Sequence, residues 1–136
     1  MSLLLSLSLS LSLAQAEGKC DTVAYSKTIQ TNTGDAAAVA FIALARCDPD
    51  KARHFAKTTV STFYPNQKGY EAVVWTLRLG EQQLAMSWMN RLDPSEKKEF
   101  LRMLGNSCQK NKIVQDFFID KAENHAEIFW KHRYYQ

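Results

Sequence analysis

The 136-residue chain has few of the motifs that announce chemistry. Its three cysteines form no C-x-x-C pair and sit beside no histidine cluster, so zinc lacks its usual ligand spacing, and with no C-x-x-C-H haem lacks a covalent anchor. No H-E-x-x-H and no G-x-S-x-G occurs, and Gly105-Asn106-Ser107-Cys108 lacks the glycine that follows the nucleophile in a strand-to-helix elbow. Three cysteines are also too few for the disulfide lattice of a small secreted lipid carrier. The expectation is a protein with no cofactor, no metal and no catalytic residue.

Charge is absent before Glu17. Leu and Ser alternate from Leu5 to Leu13, the period of a half-buried strand, but Ser is a weak strand former and no other segment has that period to pair with. The apolar stretch from Leu3 is about half the ~20 residues that a membrane span needs. It has the length of a secretory core, and Ala14-Gln15-Ala16 supplies an A-x-A cleavage site, although the usual basic residue at the start is missing. Glu17-Gly18-Lys19 before Cys20 is no lipobox. The leader reading is therefore residues 1–16 as a cleaved signal peptide and a secreted or periplasmic protein with no stable membrane insertion afterwards.

All 17 Lys and Arg and all 14 Asp and Glu follow that leader, so the net charge of +3 belongs to the remaining chain. Both signs are interspersed, as on a solvated surface, and no basic stripe suggests nucleic acid. Cys20, Cys47 and Cys108 allow three pairings and leave one thiol over. Cys20 with Cys47 would pin the N-terminal arm and is the preferred pair; Cys47 with Cys108 would join the end of one helix to the start of another.

After an arm or short helix over 17–33, every clear period is helical. From Asp35 to Ala45 the chain is apolar on all sides, which predicts a helix buried in mid-domain. Asp48-Pro49 and Asp93-Pro94 each pair an N-cap with a proline at the first helical position, and Glu96 completes a relative of the capping box. Between them lie a stripe from Ala52 to Phe63 that Tyr64-Pro65 ends, a helix from about Gln67 to Leu79 stopped by Gly80, and one from Glu81 to about Leu92. The helix after Pro94 is expected to stop at Gly105, and the last to start near Ser107 and run past Trp130. This predicts an all-α domain over 34–136, a compact bundle or a short array of five to six antiparallel helices in hairpins.

Histidine, the commonest general base, offers little. His54 sits on a polar flank, while His125 and His132 are two helical turns apart, about 10 Å, too far to share a metal. Glu123 and Glu127 beside them read as a solvated helix end. Cys108 at a helix N-terminus would have a lowered pKa, though a bridged or buried thiol suits an exported protein better. Glu71, Glu81, Asp93 and Glu96 are the acids a small cell-wall glycoside hydrolase would draw on, yet acids near helix starts are expected for capping alone. Trp75 and Trp88 fall on core stripes; Trp130, Arg133, Tyr134 and Tyr135 form a terminal basic and aromatic cluster of the residue types that dominate binding hot spots.

The leading expectation is a module that binds another protein, for example an inhibitor or immunity protein neutralising an exported enzyme or toxin. A small hydrolase and a structural subunit of an envelope complex are the alternatives, and a homo-oligomer is compatible with any of them.

Overall fold

A computed structural model describes residues 19–108 and 111–124. Among them are seven α-helices and no strand: α1 Thr22–Thr31, α2 Gly34–Cys47, α3 Pro49–Thr59, α4 Gln67–Arg78, α5 Gln82–Met89, α6 Pro94–Ser107 and α7 Lys112–Asn124, with a 3-10 turn at Val60–Thr62 after α3. The count is slightly above the five to six expected, because the stretch before Gly34 also forms a helix.

Short polar side chains start most of these helices by accepting the backbone N–H groups that have no partner in the first turn. Asp21 accepts from Ala24 N at 3.1 Å, Asp48 from Lys51 N at 3.2 Å and Asn66 from Gly69 N at 3.0 Å. Asp93 accepts from Glu96 N at 2.8 Å while Glu96 Oε1 accepts from Asp93 N at 3.0 Å, a complete capping box. Asn111 Oδ1 receives both Ile113 N at 2.9 Å and Val114 N at 3.2 Å.

Several boundaries depart from the sequence expectation, each for a local reason. The helix α3 gives way to the 3-10 turn at Val60, so Phe63 reaches the core from extended backbone instead of a helical stripe. At the other end of the next pair, α5 stops at Met89 because Arg91 N and Leu92 N turn back to the carbonyls of Trp88 and Met89. Gly105 does not end α6; it is buried within the helix, and α6 continues to Ser107. Consequently α7 begins at Lys112, behind its Asn111 cap.

The helices pair as hairpins, α2 with α3, α4 with α5 and α6 with α7, with α1 laid against α2 and α3. Stacking follows the same order, α2 against α4 and α4 against both α6 and α7, and one continuous core runs through all three pairs. Phe41, Leu44, Leu77, Leu101, Leu104 and Phe117 are fully buried there, each worth roughly 2 to 3 kcal/mol of transfer free energy. Tyr70, Trp88 and Phe100 form a triangle with ring centroids 5.5 to 5.8 Å apart that ties α4, α5 and α6 together. The indole N–H of Trp88 donates to the Phe63 carbonyl at 3.1 Å, so the buried ring also fixes the loop that follows the 3-10 turn.

Cys20 is bonded to Cys47, which holds the start of α1 to the end of α2. The bridge matters because Ile29 is the one buried residue of α1. Among the described residues, no helix is long and apolar enough to cross a membrane.

Candidate functional site

Not all of α2 is covered, contrary to the expectation of a helix buried on every side. Ala37, Ala38, Phe41, Leu44 and Ala45 are buried, but Ala36 and Val39 face solvent, with Val39 48% exposed. Residues 36, 39 and 43 are spaced three and four apart, so they lie along one face of the helix. Beside that face α1 contributes Tyr25 and Thr28, and together they line a shallow hollow of about 490 Å³ whose wall is almost wholly apolar apart from Asp35. Sequence reasoning missed this feature because a helix without a polar face reads as buried whether or not a neighbour covers it.

The same helical face ends at Arg46, three residues beyond Ala43. Its guanidinium lies 5.9 Å from the ring centre of Trp75 on α4, and that of Arg78 lies 4.7 Å from the same ring. Trp75 packs against the core as its stripe position predicts but is only partly buried and has two cations beside it, whereas Trp88 is buried.

A second hollow of about 490 Å³ lies between the start of α4 and α6, where Tyr70, Glu99, Arg102 and Asn106 give it a polar lining. Arg102 hydrogen-bonds Glu99 and holds its carboxyl below the usual range, which keeps it an anion and suits it poorly to donate a proton. Burial, with Glu96, Glu99 and Asp93 adding to it, raises the Tyr70 hydroxyl, which donates to the Glu96 carbonyl at 3.3 Å.

The acids that sequence offered to a hydrolase are dispersed. Asp93 and Glu96 are engaged in each other's caps; Glu81 stands before α5, and Glu71 lies on α4. His54 is exposed and edge-on to Phe55. Cys108 closes the C-terminal end of α6 instead of opening a helix, and it is buried. Burial pushes its thiol pKa up, the opposite of the reactive cysteine that a helix N-terminus would make. Trp130, Arg133, Tyr134 and Tyr135 lie outside the described residues, as do His125, Glu127 and His132. Among the described residues no group of three His, Cys, Asp or Glu side chains is placed to hold a metal ion.

No protein-family model, curated protein or solved structure matches the chain.

Proposed function

We propose that this chain is an exported helical module that binds another protein, an inhibitor or immunity protein that neutralises an enzyme or toxin in a secreted or periplasmic setting. The observation that carries the reading is the uncovered apolar face of α2 with the hollow beside α1. Contiguous apolar surface exposed to water is costly and marks interaction sites when polar residues rim it. The occupant is an amphipathic helix of the partner, laid along α2 with large side chains over Ala36, Val39 and Ala43. Charge complementarity supports that choice: the face ends at Arg46, and the chain is net positive, which suits an acidic partner. The Cys20–Cys47 bridge supports an oxidising compartment.

Photo-crosslinking tests this reading. A benzophenone side chain at position 39, compared with one at the exposed Ser95 on α6, is activated in the cells that make the protein. The expected result is one adduct with a second protein from position 39 alone, and that protein is an enzyme or toxin whose activity the purified chain inhibits but the V39E variant does not. An adduct of two copies of this chain, equal adducts from both positions, or no adduct overturns it.

A further inference from the structure

The Arg46, Trp75 and Arg78 cluster has an electrostatic imbalance that no acidic side chain among the described residues relieves. The ion pairs among the described residues are Arg53–Asp50, Arg102–Glu99 and Lys112–Asp116, and neither Arg46 nor Arg78 takes part in any of them. Neither guanidinium donates a hydrogen bond to a protein carbonyl or side chain there. By contrast, Arg53 in the same corner is engaged twice, with Asp50 at 2.8 Å and with the Leu79 carbonyl at 3.2 Å. Glu71, one turn before Trp75 on α4, makes no ion pair with either arginine. Two like charges therefore lie 5.9 and 4.7 Å from one indole ring centre, and neither has an ion-pair partner among the described residues.

The ring accounts for part of this arrangement. A guanidinium within about 6 Å of an indole centre is attracted by the ring's electron density, and both satisfy that limit. Basic residues in the last turns of α2 and α4 also complement the helix dipoles. Neither attraction removes the mutual repulsion. Burial, and then the charge of Arg46, pull the Arg78 guanidinium below its ordinary value, and an anion bound beside the pair would offset the repulsion.

We propose that Arg46, Trp75 and Arg78 form an oxyanion-binding site that takes a carboxylate of the protein partner. This rests on the protein-binding reading above and extends it, because the site stands at the end of the same apolar face. A partner helix seated over Val39 and Ala43 would bring an acidic side chain one turn further on to the two guanidiniums. Arginine fits this role because its planar fork matches a carboxylate with two parallel hydrogen bonds, and its charge persists at any physiological pH. Trp75 holds the two guanidiniums near each other through cation–π attraction.

The test needs no partner, so its outcome is separate from that of crosslinking at position 39. Isotope-labelled protein is titrated with glutarate, and separately with inorganic phosphate, at constant ionic strength while the indole N–H resonances are followed; a W75F variant assigns Trp75. Glutarate is expected to move the Trp75 signal saturably and more tightly than phosphate does, and R46Q/R78Q to weaken that binding about ten-fold or more. The Trp88 signal, held by the buried bond to Phe63, stays in place and reports an intact fold in the variant. A Trp75 response that does not saturate, or that survives unchanged in R46Q/R78Q, overturns the site. Phosphate saturating where glutarate does not overturns the carboxylate assignment.

Discussion

A side-chain carbon on Gly69 would stand 1.7 Å from the carbonyl oxygen of Tyr64. The chain at Tyr64-Pro65-Asn66 folds back over the start of α4, with Asn66 N bonded to that same carbonyl at 2.8 Å and Asn66 Oδ1 accepting from Gly69 N. The obstacle is backbone, not a flexible side chain that can swing away. G69A is therefore expected to destabilise by about 3 kcal/mol. G80A serves as the comparison, since Gly80 has φ +87° but open space around it and its replacement costs only the left-handed penalty of roughly 1 to 2 kcal/mol. Urea midpoints of the two variants check the order.

The Cys20–Cys47 bridge closes a loop with a sequence separation of 27, for which chain entropy gives about 3.5 kcal/mol. Because α1 buries little besides Ile29, C20S/C47S is expected to free α1 locally before the rest of the fold opens. Amide exchange should rise across Thr22–Thr31 while α4 keeps its protection; uniform acceleration of both would contradict this.

Stability should acquire an acid-side dependence from the Glu99–Arg102 pair. The hydrogen bond from Arg102 lowers the folded-state pKa of Glu99 beneath its unfolded value of 4.5, so the contribution is fully present above that pH and disappears as pH falls through the lower folded value. The pair is exposed, and the effect is small. The stability difference between wild type and R102Q, measured from pH 7 down to pH 2, should be constant above about pH 5 and shrink below it.

Cys108 should be slow to react. Its thiol is 1% exposed and its pKa is raised by burial, so a maleimide at pH 7.5 is expected to label the native protein only as fast as α6 and α7 open. Labelling in denaturant should be complete within the mixing experiment. Rapid labelling of the native state would place the thiol at the surface.

Local chemistry made much of the helical order legible. Asp48-Pro49 and Asp93-Pro94 carry their own stop and start instructions, because a short acceptor side chain followed by a residue without an N–H satisfies a helix start without help from elsewhere. Asn66 and Asn111 cap α4 and α7 in the same way, but no proline follows them directly, and without it neither stands out in the sequence as a helix start. Gly105 was legible only as a stop: glycine serves equally well as a C-terminal cap and as a flat place against a neighbour, and the sequence does not say which neighbour is present.

The candidate site shows the same division more sharply. That α2 is apolar all round follows from the residues between Asp35 and Ala45 alone. That one strip of it stays uncovered depends on where α1 and α4 lie against it, and helices separated in sequence choose their neighbours by packing across the whole core. Arg46 and Arg78 are each ordinary basic residues in a last helical turn, and Trp75 an ordinary stripe position; 29 residues separate Arg46 from Trp75 in the chain, and only the contact between α2 and α4 makes one cluster of them. The sequence by itself determined the helical class, the two Asp-Pro caps and the number of cysteines available to bridge, because each follows from composition or from interactions within a few residues. Tertiary structure decided which apolar face meets water and which charges go unmatched, because burial and Coulomb energy depend on distances in space that no local pattern encodes.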